Sequence, residues 1–268
     1  MKMLKKLKRK LTSSPWPEFA YQVRGTQEKL LIRLDDFPDS VLVTGCQRSG
    51  TTMLARIITQ SDGMADYWFS HDDEHDAASI LAGRVPHAPK GRYCFQTTYL
   101  NERYPEYAEH PGHYLVWVLR NPASVVHSML YNWKDFALNE LFLACGYNWM
   151  DHADRVRFLR SGLAGIPRIR RAAYAYNGKV SQLAEVKRNY PSERMVILEY
   201  DELVREKEVL LPRLYERIAL RYRPEYAASI RAGSLKNKDG LSQDEARQVE
   251  AICTPAYQNV LPQLTLTR

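Results

Sequence analysis

The stretch Val41-Leu42-Val43-Thr44-Gly45-Cys46-Gln47-Arg48-Ser49-Gly50-Thr51-Thr52-Met53-Leu54 decides the fold. A short apolar run fit for a buried strand enters a loop bounded by Gly45 and Gly50, and the loop enters an apolar-periodic helix. Glycine at both bounds permits backbone angles and a close approach that a side chain would block. The loop amides then face inward beside a helix N-terminus, where unpaired N–H groups and the helix dipole favour an anion. The spacing nearly matches the nucleotide signature G-x-x-x-x-G-K-[ST], but Thr51 stands where the lysine should reach the β/γ-phosphates. The positive charge sits earlier, at Arg48. Such a cradle suits an anion other than ATP–Mg²⁺.

A second strand-to-helix turn lies downstream. Tyr114-Leu115-Val116-Trp117-Val118-Leu119 is a continuous apolar run, as expected of a strand buried on both faces. It ends in Arg120-Asn121-Pro122, with Asn121 suited to an N-cap and Pro122 to the first helical position. Val125, Val126, Met129 and Leu130 form one apolar stripe, as Met53, Leu54, Ile57 and Ile58 do after the first loop. Arg120 therefore leaves the carboxyl end of a strand, and Ser128 lies two turns into the next helix, off that stripe. An arginine fork and a hydroxyl converging there can hold a further phosphate.

Apolar strands alternating with longer helical patterns predict an α/β chain, a three-layer sandwich around a central, mainly parallel sheet. Helices are expected over 172–188 and 210–220, and a strand just before Tyr67. At 268 residues one domain is ordinary. We expect residues 1–25 to be a basic appendage and 26–268 a single domain, with the aromatic-rich, irregular stretch 131–165 as an acceptor-binding insertion.

These residues resemble the sulfotransferases, enzymes that use 3′-phosphoadenosine 5′-phosphosulfate (PAPS). The family's 5′-phosphosulfate loop matches Gln47-Arg48-Ser49-Gly50-Thr51-Thr52, and its 3′-phosphate motif, an arginine followed eight residues later by a serine, matches Arg120 and Ser128. Met195-Val196-Ile197-Leu198-Glu199-Tyr200-Asp201-Glu202-Leu203 is similar to the later strand with its acidic ending. Ser234-Leu235-Lys236-Asn237-Lys238-Asp239-Gly240-Leu241-Ser242 is similar to the basic segment that closes over the nucleotide. The resemblance spans roughly residues 40 to 260 and implies a P-loop NTPase-like sulfotransferase fold. It implies sulfuryl transfer from PAPS to a hydroxyl or amine, adenosine 3′,5′-bisphosphate as product, and no required metal. It assigns the donor to Gln47, Arg48, Ser49, Gly50, Thr51, Thr52, Arg120, Ser128, Lys236 and Lys238.

The catalytic groups follow the resemblance less closely. Many members carry lysine at the position of Arg48, able to donate a proton to the leaving phosphate. Arginine stays charged and instead hydrogen-bonds to the leaving oxygen. The Arg-Ser-Gly-Thr-Thr form also occurs in protein-tyrosine sulfotransferases. The cytosolic small-molecule enzymes take their base from a histidine before the 3′-phosphate strand, but Arg92-Tyr93-Cys94-Phe95-Gln96-Thr97-Thr98 has none. The tyrosine-sulfating branch uses a glutamate shortly after the first helix. Here that region reads Tyr67-Trp68-Phe69-Ser70-His71-Asp72-Asp73-Glu74-His75. The base is therefore expected among His71, Asp72 and Glu74. His110 and His113 fall at the opposite edge of the sheet. Tyr67, Trp68, Tyr131, Trp133, Phe136, Tyr147 and Trp149 are candidate acceptor walls.

Charge and cysteine content bound the partners. Lys+Arg exceed Asp+Glu, 38 to 31, for a net charge of +7. Lys2, Lys5, Lys6, Lys8, Arg9 and Lys10 supply most of that excess, and no nucleic-acid motif accompanies them. With Met3, Leu4, Leu7 and Leu11 between them, this tail is a candidate for peripheral contact with an anionic membrane. The apolar runs are too short to span a bilayer, and no secretory core is present. Cys46, Cys94, Cys145 and Cys253 are widely spaced, so neither zinc nor a disulfide framework is indicated and a cytoplasmic setting is expected. The acceptor is a small molecule, carbohydrate or peptide. Two competing readings are a small-molecule kinase, which should carry the loop lysine, and a non-catalytic nucleotide-binding module.

Overall fold

The computed structural model describes residues 14–230 and 240–268. The chain begins with a short helix α1 (Trp16–Phe19) that runs into a π-turn over Ala20–Arg24. β1 (Val41–Gly45), α2 (Thr51–Thr59), α3 (Asp73–Leu81), β2 (Cys94–Gln96), β3 (Tyr114–Leu119) and α4 (Pro122–Asn132) follow. Next come α5 (Asp135–Leu141), α6 (His152–Ser161), α7 (Arg168–Asn189), β4 (Met195–Glu199), α8 (Tyr200–Arg205), α9 (Lys207–Arg217) and α10 (Gln243–Val260).

The four strands form one sheet in the order β2-β1-β3-β4, every pair parallel. Val41 lies opposite both Cys94 and Tyr114, and Leu119 opposite Glu199, so all four carboxyl ends share one edge. β1 and β3 are neighbours, while the intervening strand lies on the far side of β1. The strand order thus reverses between them, where open α/β sheets place their ligand crevice.

Strand residues alternate between two cores, as the period of two requires. Val41, Val43, Val116, Val118, Val196 and Leu198 pack with Leu54, Ile57 and Ile58 of α2 and with α8 and α9. Leu42, Phe95, Leu115, Trp117 and Ile197 face α3, α4, α7 and α10. The result is the three-layer α/β sandwich expected, with a sheet that is wholly rather than mainly parallel.

Several local expectations shift. The helix expected over 172–188 extends to Arg168–Asn189, and the one over 210–220 is Lys207–Arg217. The strand expected before Tyr67 reduces to a single parallel bridge, Met64 to Arg92, with Ala65 N donating to Arg92 O at 2.7 Å. Beyond it, carboxylates take the amides that a ladder would use: Asp66 accepts from Trp68 N, and Asp76 from Phe69 N and Ser70 N. Part of the expected appendage packs inside, for Phe19 and Val23 are buried in the main core. The basic tail lies outside the described residues. Among the described residues no helix is long and apolar enough to cross a membrane.

Candidate functional site

The loop after β1 is shaped by contacts that only glycine permits. A Cβ on Gly45 (φ 136°) would stand 2.3 Å from Val118 O, and one on Gly50 (φ 93°) 2.0 Å from the Tyr200 ring. Gly50 is the left-handed N-cap of α2, so the first amides of that helix open onto the loop. Arg48 itself adopts φ 72°, a conformation that costs a non-glycine residue of order 1–3 kcal/mol. Its guanidinium reaches α4, where Nε donates to Ser128 Oγ at 2.9 Å.

Arg120 leaves the end of β3 as expected and is buried. Its Nε donates to Asp201 Oδ1 at 3.2 Å, its Nη1 donates to Arg48 O at 3.3 Å, and its guanidinium lies 4.4 Å from the Tyr200 ring centre. Asn121 caps α4 by accepting from Ala123 N at 2.9 Å, with Pro122 first in the helix. Ser128 Oγ accepts from Arg48 and, at 3.3 Å, from Asn132 Nδ2, which leaves its own proton to donate. Desolvation, then the nearby Arg120, lowers the pKa of Arg48. Two guanidinium groups facing one cleft repel each other unless an anion lies between them.

Gln47, Arg48, Gly50, Thr51, Thr52, Arg120 and Ser128 line one cavity of about 300 Å³. Thr51 Oγ1 accepts from Gln96 Nε2 at 3.1 Å and keeps its proton for a ligand. Ser49 is the exception among the expected donor residues, for it is fully buried and does not line the cavity. Lys236 and Lys238 lie outside the described residues.

A second cavity, about 430 Å³, adjoins the first; Gln47, Arg48, Thr52, Glu74, Asn132 and Trp133 line both. Trp16, Arg24, Tyr99 and the α5 residues Ala137, Glu140 and Leu141 add to its wall. Arg24 and Glu140 form an ion pair within that wall. Of the seven aromatics read as candidate walls, Trp133 alone lines either cavity. Tyr67 is in the core, while Tyr131, Phe136 and Trp149 are exposed. The expected insertion does wall the second cavity, through residues 132–141 rather than its full length.

The three base candidates separate cleanly. Asp72 is the N-cap of α3: Oδ1 accepts from His75 N at 3.0 Å and Oδ2 from Trp16 Nε1 at 2.7 Å. Both oxygens are thereby engaged in structure. His71 is exposed on the rim of the second cavity. Glu74 lies at the junction of the two cavities, accepting from Thr98 Oγ1 and, at 3.3 Å, from Gln96 Nε2. Desolvation pushes its pKa up to about 8, against the pull of the Thr98 hydroxyl. A carboxylate raised this far is a strong base for its class.

Other expectations resolve into structure. His110 and His113 both hydrogen-bond Asp35 before β3, far along the sheet from the cavities. Glu199 caps α8 by accepting from Glu202 N at 2.6 Å. Burial raises Cys46 to about 12, which leaves it a packing thiol, and all four cysteines are free and buried. No group of three or more His, Cys, Asp or Glu among the described residues is placed to hold a metal. Sequence reading missed Trp16, Arg24, Thr98 and Tyr99. Trp16 and Arg24 sit in the segment taken for an appendage, and no motif marks the other two.

No protein-family model matches the chain, and no curated protein does. Solved structures do. The sulfotransferase domain from the curacin biosynthetic pathway superposes with a TM-score of 0.51 at 12% identity, over 85% of this chain and 97% of that one. The sulfotransferase domain of a Synechococcus olefin synthase gives a TM-score of 0.49 at 11% identity, over 80% and 94% of the two chains. A mouse sulfotransferase complexed with PAP gives 0.44 at 16%, over 87% and 84%. With a parallel sheet, a glycine-bounded loop after β1 and helices on both faces, this chain has the sulfotransferase fold.

Proposed function

We propose that this protein is a sulfotransferase that moves a sulfuryl group from PAPS to a hydroxyl or amine of an acceptor held in the second cavity. One observation carries the reading: Arg48, Arg120, Ser128 and the N-terminus of α2 converge on one cavity, and Glu74 stands where it opens into the other. The first cavity would take the donor, with Thr51, Thr52 and the loop amides on the 5′-phosphate and Arg120 with Ser128 on the 3′-phosphate. The acceptor would enter past Trp133.

Glu74 then accepts the proton as the acceptor oxygen or nitrogen bonds to sulfur. The bond from sulfur to the bridging oxygen breaks, and its electron pair leaves on adenosine 3′,5′-bisphosphate. Arg48 keeps its own proton and stabilises charge growing on the bridging and sulfuryl oxygens, a form of electrostatic preorganisation. Asp72 supports Glu74 only indirectly, by capping α3.

Calorimetric titration with adenosine 3′,5′-bisphosphate, beside ATP with Mg²⁺, tests the reading. We expect the bisphosphate to bind and Arg120→Ala to weaken it by about 10- to 100-fold, as loss of charged hydrogen bonds implies. Binding of ATP–Mg²⁺ alone would instead identify a kinase.

A further inference from the structure

Lys179 is 1% exposed, in the middle of α7. Among the described residues it has no carboxylate within 4 Å; Nζ donates to Thr98 O at 3.1 Å. Burial lowers the pKa of this amine, and no salt bridge among the described residues offsets the cost, so a lysine kept here needs a reason. The same carbonyl also accepts from Gln47 Nε2 at 2.9 Å, and Gln47 belongs to the anion loop. On the other side of the residue, Thr98 Oγ1 donates to Glu74 Oε1. A core lysine, the loop and the carboxylate at the cavity junction thus meet on one threonine.

We propose that Thr98, clamped through its carbonyl by Lys179 and Gln47, is the positioning residue that aims Glu74 at the acceptor. The inference rests on the sulfuryl-transfer reading with Glu74 as base, and goes beyond it by naming what orients that base. The clamp fixes the peptide, and the fixed peptide fixes the hydroxyl. Glu74 has few other restraints, since Gln96 Nε2 reaches it only at 3.3 Å.

The electrostatic surroundings agree. Asp72 and Asp73, on or beside the same helix, disfavour the ionised form of Glu74, while Thr98 and Lys179 favour it. Arg48 and Arg24 face it from the loop and the N-terminal segment. Tyr99 and Tyr107 face it from the residues after β2; both are pushed up by burial and bring no charge of their own near neutral pH. Thr98 and Lys179 are therefore the groups whose removal should raise the proton affinity of Glu74.

The test uses full-length protein carrying ¹³C-labelled glutamate, with the Glu74 carboxyl resonance assigned by its loss in Glu74→Gln. Its titration is followed in wild type, Thr98→Val, Thr98→Ser and Lys179→Met. Thr98→Val should move the midpoint upward by about half a pH unit or more, a threefold or larger change in proton affinity. Thr98→Ser, which keeps the hydroxyl, should restore the wild-type midpoint. Lys179→Met should move it in the same direction as Thr98→Val; if that variant does not fold, the threonine pair decides. In turnover, kcat of Thr98→Val should fall while bisphosphate affinity holds, and the rising limb of the kcat/KM profile should shift with the resonance. A midpoint unmoved in Thr98→Val, or not restored by Thr98→Ser, overturns the inference whatever reaction is catalysed. Failure of the bisphosphate to bind overturns the sulfuryl-transfer reading and leaves the titration result standing.

Discussion

The two cavities meet at Glu74 and are built in different ways. The first is made by two strand-to-helix turns, residues 45–52 after β1 and 120–128 after β3, and backbone geometry sets most of its shape. The second draws on α1, the π-turn after it, the start of α3, the residues following β2, the end of α4 and α5. A cavity shaped by tight glycine turns and two buried or part-buried arginines tolerates little change, whereas a wall of separate side chains can be altered piece by piece. The first cavity should therefore be brittle and the second adjustable.

The sharpest way to break this contrast is Gly50→Ala. With φ 93° and a Cβ placed 2.0 Å from the Tyr200 ring, the substitution must move either the α2 N-terminus or the ring beneath Arg120. Bisphosphate affinity should drop by more than about 100-fold, since the loop cannot keep its shape. A calorimetric titration showing near wild-type affinity would mean that the loop is far more plastic than its contacts imply.

Glu74→Gln comes next and probes the junction. Turnover should fall by about 10²- to 10⁴-fold, the usual worth of a general base, with bisphosphate affinity preserved. In wild type, kcat/KM should rise with pH and level off above about 8, because Glu74 must lose its proton to act. A profile flat from pH 6 to 9 would remove Glu74 from the role.

The same carboxyl makes a stability prediction with a definite sign. Its folded-state pKa of about 8 lies above its ordinary value of 4.5, so the folded protein holds this proton more tightly than the unfolded chain. The stabilisation that this provides is complete below about pH 4.5 and is lost as pH rises through about 8. Thermal melts of wild type should therefore lose ground to those of Glu74→Gln across that window. Parallel curves for the two proteins would contradict the raised pKa.

Smaller effects are expected on the rim of the second cavity. Asp72→Ala removes the α3 cap and the Trp16 hydrogen bond, and should cost about 1 kcal/mol of stability, read by denaturant unfolding. His71→Ala should leave turnover nearly unchanged. A large loss of turnover in His71→Ala with normal stability would shift the base from Glu74 to the rim.

Much of the fold and of the first cavity is legible in the sequence alone. Val41 to Leu54 and Tyr114 to Leu130 carry their structure in consecutive residues: an apolar run, a glycine or Asn-Pro punctuation, and a helical stripe. Local backbone preferences and burial periodicity act over just such distances. For the same reason the reading failed where carboxylates compete with a ladder, at Asp66 and Asp76. It also failed where a short segment earns its place by burial rather than pattern, at Phe19 and Val23.

The sequence by itself determined the α/β layering, the glycine-bounded loop after β1, the place of Arg120 and Ser128 at one strand-to-helix turn and a short list of carboxylates and a histidine beside α3. Tertiary structure decided among them. Glu74, Asp72 and His71 occupy neighbouring positions in the chain, yet the helix sends one to the cavity junction, one to a cap and one to solvent. Their different surroundings come from Trp16, Thr98 and Lys179, between 24 and 105 residues away along the chain. Desolvation and hydrogen bonding depend on such distant neighbours, and they give otherwise similar carboxylates different chemistry.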